Sequence, residues 1–547
     1  MGLVRGIGRL LAIGLGAIVL LPALALVPAA LVERGPAGEP RSTILFLGLT
    51  AWDPFLRGAM ANSVALAAGV ALGSTVLGVA LASATTRRQF WGRAPLAALA
   101  TAPLAVPPLF AALGLRAWLG AAPTESGWMS WLALVWVELA FGVPIVARAA
   151  AACLHRIDPA CDDAARVAGA NRWRTWRNLY WPLVRPAAAR AAGTVFALTL
   201  FEPGAPLVLG LRRTLAVQAV EAATRSSPGS APMAATLALT AWWLAAAGRS
   251  AFRVWGRSAP SLPAATSATK PSAASGSEAV VLLILLATWS AVSLAPALGL
   301  GLLAASRWGV SGLPTAFRGL WHDGEALGIA THSLLLGGAA GAIALVVASA
   351  SRRRRPGTPP PLAIGIGALM LPGLLEMAAD WRASSRPDDA AAHVLRLAAD
   401  GLDPFRAPGV LLAWAVAAAQ LRGLARDGDG DGGRYLSRAR ARRRRVLVEA
   451  ARVLGASRRR ARREAAGPRL AFASGPTWFL ASTLAATDTA AALVLSPTTM
   501  AMPVGPGVLL LAGDPGGLAK AAALALLAIA LNLAALAWSA HADRRGA

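Results

Sequence analysis

The sequence predicts an all-α polytopic membrane protein, with about 12 transmembrane helices in two parallel six-helix repeats. Three observations carry that expectation. The chain is 56% hydrophobic and only 15% charged over 547 residues, with mean hydropathy +0.55, a balance too apolar for a soluble globule of this size. Its arginines gather in the gaps between apolar runs. A twenty-residue stretch also occurs twice, DAARVAGANRWRTWRNLYWP from Asp163 to Pro182 and EAARVLGASRRRARREAAGP from Glu449 to Pro468, with ten of the twenty positions identical.

A helix needs about 20 mostly apolar residues to cross the hydrocarbon core. Runs of this kind lie near 8–31, 61–84, 94–115, 128–147, 187–209, 231–248, 279–305, 331–350, 361–379, 408–421, 470–495 and 517–539, of which 408–421 is the weakest. The first follows Arg5 and Arg9 as a secretory signal would. Its apolar length exceeds the roughly 7–15 residues of a signal core, so it is expected to stay as the first helix.

Orientation follows from the arginines, since short cytoplasmic loops carry the excess of positive charge. With both termini in the cytoplasm, Arg87, Arg88 and Arg93, the first repeated stretch, Arg249, Arg253 and Arg257, Arg352 to Arg355, the second repeated stretch, and Arg544 and Arg545 all fall on one side. The longest opposite loop, about 380–407, offsets its arginines with Asp380, Asp388, Asp389, Asp400 and Asp403. An arginine at mid-helix costs roughly 2.5–3.5 kcal/mol on insertion scales, so the cluster Arg442 to Arg445 belongs outside the bilayer.

The duplication reaches beyond the loops. Asn62-Ser63 matches His332-Ser333 at an offset of 270, Pro103 matches Pro372 at 269, and both the loops and the acids Glu202 and Asp488 match at 286. The change in offset places about seventeen extra residues in the second half, most simply in the outer loop 380–407. Residues 257–277 are rich in Pro, Ser, Ala and Thr and are expected to be a flexible cytoplasmic linker. The expected layout is a first helix and outer loop over 1–60, a helical core over 61–256, the linker, a helix and outer loop over 278–330, a second core over 331–540 and a tail over 541–547. Because a whole unit with an even number of helices is repeated, the copies are parallel.

Net charge +26 comes from 53 basic residues, all arginine except Lys270 and Lys520. They lack the motif context of a nucleic-acid binder and are expected to set topology instead. Cys153 and Cys161 are the only cysteines, so no disulfide framework is expected. No metal site is expected either, the five histidines being scattered. DGDGDGG, Asp427 to Gly433, imitates the start of a calcium loop, but Arg438 stands where the bidentate Glu belongs.

In the first repeated stretch Asp158-Pro159 is a good helix start, and Asp162 and Asp163 lie near the positive end of the helix dipole. Arg166 follows them at spacings that allow pairing. Gly169 can leave the helix in a left-handed conformation, so the expected shape is a short helix, a turn at glycine and a second basic helix leading to Pro182. Glu449, Arg452 and Gly455 repeat that plan. A short, rigid projection presented twice suits a partner with two equivalent sockets.

Glu-Ala-Ala, three residues, Gly, nine residues, then an apolar end and Pro resembles the EAA loop of permease subunits of binding-protein-dependent ABC importers. Two such units in one chain look like the fused permeases of the ferric-iron and thiamine type, a resemblance strengthened by FALTLFEPGAPLVLG (Phe196 to Gly210) and TLAVQAVEAA (Thr214 to Ala223). It covers roughly 61–256 and 331–540. The first copy departs from the pattern in Asp163 and Trp181, and the second in Ala465 and Gly467. The resemblance implies a bacterial inner-membrane transport subunit that is not itself an enzyme. Its coupling helices would then be formed by Asp163, Ala164, Ala165, Gly169 and Pro182, and by Glu449, Ala450, Ala451, Gly455 and Pro468. It also implies two copies of an ABC ATP-binding subunit and an extracytoplasmic solute-binding protein as partners, besides membrane lipid. Ferric iron is the first substrate expected and thiamine the second.

No GxxxxGK[ST] phosphate loop exists, so the chain is expected to bind no cofactor, and ATP and Mg would be used by the partner ATPase. Acids at membrane depth are costly to bury and are default candidates for the substrate pathway, here Glu202, Asp488 and Glu376. The alternative is a secondary, ion-coupled transporter, which can also have two parallel six-helix halves but needs no matched docking loops.

Overall fold

The structure is a computed structural model that describes residues 22–35, 39–119, 127–257 without 156, 158, 226 and 228, 272–305, 313–350, 361–385, 389–402, 490–495, 503–514 and 517–546, with a few positions between 479 and 487. Helix α1 (Pro22–Leu31) leads into a small antiparallel hairpin of β1 (Val32–Arg34) and β2 (Pro40–Ser42), in which Val32 faces Ser42. After α2 (Leu45–Trp52) comes α3 (Pro54–Arg87), started by the Asp53 side chain, which accepts the Leu56 N–H at 2.9 Å, and by Pro54 at its first position. Its 34 residues make about 50 Å at 1.5 Å per residue, longer than the hydrocarbon core, so an end stands clear of the apolar layer.

Then follow β3 (Arg88–Gln89), α4 (Arg93–Thr101), α5 (Pro108–Leu119) and α6 (Trp128–Leu154). The run 94–115, expected as one span, is broken: α4 and a 3-10 turn at Ala102–Ala105 meet α5 at 102°. Pro107 and Pro108 explain the break, because neither offers an N–H and each disfavours helical backbone in the residue before it. Next come α7 (Pro159–Val167), α8 (Arg172–Thr175), α9 (Trp181–Leu200), α10 (Gly204–Val208), α11 (Leu215–Thr224) and α12 (Ser230–Trp255). The expected span 187–209 is thus displaced, since α9 starts at Trp181 and ends at Leu200.

Beyond the linker come β4 (Ser272–Ala273), paired parallel with β3, then α13 (Gly276–Ala305), α14 (Leu313–His322), α15 (Gly324–Ala350), α16 (Pro361–Ser385) and α17 (Ala390–Leu402). Residues 390–402 of the long outer loop therefore form a helix, which packs back on α16 with Arg382–Asp389 and Arg396–Asp380 ion pairs at the join. The described C-terminal helices are α18 (Ala490–Leu495), α19 (Val504–Gly513) and α20 (Leu518–Gly546). Among the described residues six helices are long and apolar enough to cross a membrane, or seven if the bent α4–α5 pair is one span, which makes the chain a multi-pass membrane protein.

The same pair of local contacts occurs at two places in the chain. Ser63 on α3 accepts the Leu215 N–H at the start of α11 at 2.7 Å, and Ser333 on α15 accepts the Val504 N–H at the start of α19 at 2.8 Å. Asp53 caps α3 while Asp323 caps α15 through the Glu325 and Ala326 N–H groups, and 53 and 323 differ by the 270 that separates Ser63 from Ser333.

Helices distant in sequence also interlock. Helix α13 lies against α4, α5 and α6, and α1 touches α16. Pro296 deprives the Val292 carbonyl of its helical partner, and the Trp136 indole N–H takes it at 3.0 Å. Trp118 donates to Ala295 at 2.9 Å and Trp289 to Ala100 at 3.1 Å. Gly114 and Gly299 sit where α5 and α13 cross, and a methyl group on either would overlap the other helix's backbone; Gly367 meets Pro22 in the same way.

Candidate functional site

The first repeated stretch folds as its residues suggest. Helix α7 ends in a Schellman motif: the Ala170 N–H bonds the Ala165 carbonyl at 2.9 Å, the Gly169 N–H bonds Arg166 at 3.0 Å, and Gly169 has φ of 73°. A side chain there would meet nothing within 4 Å, so glycine is required by backbone angle and not by space. Asn171 then caps α8, accepting the Arg174 N–H at 2.8 Å. The helical path continues through a π turn at Trp176–Tyr180, in which the Trp181 N–H reaches back to Trp176. That wider turn lets Pro182, which has no N–H, enter at the first turn of α9 without breaking the path.

The projection is anchored from elsewhere in the chain. Arg87, in the last turn of α3, pairs with Asp162 and with the Tyr180 hydroxyl, which itself donates to Asp162; the guanidinium lies 4.4 Å from the Tyr180 ring centre. Asp163 pairs with Arg166 on the exposed side, a contact worth about 0–1 kcal/mol. The two adjacent acids thus divide: Asp162 holds the loop to the body, and Asp163 faces outward. Glu278, at the start of α13, pairs with Arg88 at 2.7 Å and Arg172 at 3.5 Å, tying the loop to that helix. What remains exposed is apolar as well as charged, with Val167 at 91% and Trp173 at 68%. Apolar side chains held so far out on a rigid turn suit a protein partner.

Within the membrane the structure adds an acid not among the sequence candidates. Glu138 lies mid-way along α6, is 2% exposed, and accepts a 2.7 Å hydrogen bond from the Thr199 hydroxyl on α9. Glu202, one turn further on, is its electrostatic neighbour and accepts the Gly204 and Ala205 N–H groups at 2.9 and 3.4 Å, starting α10 beside Leu109. The signal for Glu138 was a single acid in VWVELAFG, which a span average hides. Glu376 instead sits half exposed in a 3.2 Å ion pair with Arg34 of the β1–β2 hairpin.

Residues 74–258 match the family described as binding-protein-dependent transport system inner membrane component. The chain is also similar to the molybdate/tungstate transport system permease protein WtpB of Thermococcus kodakarensis, 27% identical over 168 residues, 31% of this chain and 66% of that protein. It resembles the ferric transport system permease protein FbpB of Actinobacillus pleuropneumoniae, 28% identical over 197 residues, 32% of this chain and 27% of that one. A probable sulfate transport system permease protein, cysT of Chlorella vulgaris, is 29% identical over 168 residues, 29% and 63% of the two chains. In each case the chain spans less than two thirds of the relative's own length.

The matched segment contains the whole first loop, its anchor Arg87, and both Glu138 and Glu202. The structure brings Asp163, Ala164, Ala165, Gly169 and Pro182 into one projecting unit. The corresponding Glu449, Ala450, Ala451, Gly455 and Pro468, and also Asp488, lie outside the described residues.

Proposed function

We propose that this chain is the permease subunit of an ATP-driven, binding-protein-dependent importer, and that its two halves surround a path that alternates between outward and inward access. The observation that carries the reading is the α7 turn, an exposed rigid helix end inside a segment matching that permease family, with its sequence repeated at 449–468. Two ABC ATP-binding subunits would take the two loops. Their closure on ATP favours one access state by binding it better than the other. An extracytoplasmic binding protein would deliver the solute, and ATP and Mg would be handled by the ATPase alone.

The duplicated reading, with twelve helices in two parallel halves, is supported by the paired Ser63–Leu215 and Ser333–Val504 hydrogen bonds. Ferric iron leads as substrate and thiamine follows. The matched relatives include molybdate and sulfate permeases besides ferric ones; the likeness of the 196–223 segment and of the repeated loops to the ferric-iron and thiamine type is what puts iron first. The test is co-purification and uptake with a candidate ABC ATPase subunit from the same organism. Retention of that subunit, lost in D163R, E449R and the double variant, is expected. A chain that never retains an ATPase, and that transports equally well with both charges reversed, ends this reading in favour of an ion-coupled transporter.

A further inference from the structure

We propose that the neighbouring ends of α9 and α12, on the membrane face that carries the repeated loop, form a binding site for the phosphate of an anionic phospholipid. Counting about 20 residues from Ser230 brings α12 across the hydrocarbon to Arg249, so Arg249, Arg253 and Arg257 stand at headgroup level. Arg249 and Arg253 stand one turn apart on α12, and Arg257 follows two residues past its end. Like charges at that spacing repel, and Arg253 acts on Arg249 in that sense. Among the described residues no carboxylate pairs with any of the three, and the Arg249 Nε is buried with no hydrogen-bond partner.

The facing helix adds to the charge and supplies the walls. Gly193 on α9 brings the Arg249 backbone close, and Gly256 packs on Pro186 and Ala189, so Arg185 and Arg190 of α9 stand at the same level. Aromatic rings line this crossing: Trp181 lies 5.9 Å from Trp255, Phe252 6.3 Å from Trp255, and Phe196 6.2 Å from Phe252. Rings of this kind settle at the membrane–water boundary. Basic pockets between helices at that depth take lipid phosphates, and a planar guanidinium bonds a phosphate with two parallel N–H groups. A phosphodiester here removes the repulsion and supplies the missing acceptor, whatever solute the chain carries.

The experiment places the full chain in phosphatidylcholine nanodiscs containing spin-labelled phosphatidylglycerol or, as control, spin-labelled phosphatidylcholine. The wild type should immobilise phosphatidylglycerol preferentially, and the preference should fall about fivefold for each charge lost in R249Q and R249Q/R253Q while R249K/R253K retains it. Equal immobilisation of both lipids by the wild type, or unchanged preference in the double variant, overturns the proposal. So does unchanged lipid preference accompanied by release of a bound ATPase subunit, which would assign the arginines to protein contact. Should the double variant not fold, photoreactive phosphatidylglycerol is cross-linked to the wild type. Labels confined to 181–196 and 245–257 support the site, and labels spread evenly along the chain refute it.

Discussion

Replacing Gly169 by alanine tests the proposed role of the loop's shape. No atom outside the local chain lies within 4 Å of the added methyl, so packing does not change. The backbone angle of 73° does matter, because a residue with a Cβ is disfavoured there by roughly 1–2 kcal/mol. That energy corresponds to about a 5–30-fold change in the balance between the closed Schellman turn and a frayed helix end. Hydrogen exchange reads this directly at Gly169 and Ala170, whose N–H groups close the turn. In G169A the amide of Ala170 should exchange about 5–30 times faster, while the α6 and α9 amides keep their wild-type rates. G169N should fall between, since asparagine tolerates the left-handed region better than alanine. If G169A exchanges like the wild type, backbone preference does not hold the turn, and the argument that it is a rigid projection fails.

Three other perturbations follow from the contacts. S63A and S333A each strip a buried backbone N–H of its acceptor, so each should cost about 1–3 kcal/mol and lower the thermal midpoint; the absence of a shift in either would show that the hydrogen bond is replaceable. E138Q preserves an acceptor for Thr199 and should fold normally with reduced uptake, whereas E138L should lower both stability and uptake; full uptake by both variants would remove Glu138 from the pathway. The hydrogen bond from Lys520 is the largest influence holding the Asp323 carboxyl below its ordinary value, with the Ala326 and Glu325 N–H groups adding to it. The folded form therefore gains stability above about pH 3.9, the unfolded carboxylate value, and loses it as pH falls through the lower folded value. D323N should flatten that acid limb of the thermal midpoint against pH, and an unchanged limb would contradict it.

Much of the repeated loop was legible because its determinants are local. A left-handed turn at Gly169 and pairing of Asp163 with Arg166 follow from spacings within one helix. The partner of Asp162 was not legible, because Arg87 and Tyr180 reach it from 75 and 18 residues away. Counting apolar residues over 94–115 hid the break that Pro107 and Pro108 impose, since hydropathy is blind to a missing N–H. Averaging likewise hid Glu138. The ion pair of Glu376 was not legible either, because Arg34 reaches it from 342 residues away.

The packing of α13 on α4, α5 and α6 bears on the order in which the protein is made. While the ribosome is still in the linker, the groove on α5 that receives α13 is empty, with Trp118 and Trp136 awaiting the carbonyls of Ala295 and Val292. The α5 surface that α13 covers stays open until synthesis has passed Ala305, and the contact of Pro22 with Gly367 forms later still. A nascent chain arrested between the halves should therefore be a substrate for membrane quality control. Two fragments cut at the linker should assemble when produced together and be degraded when produced apart.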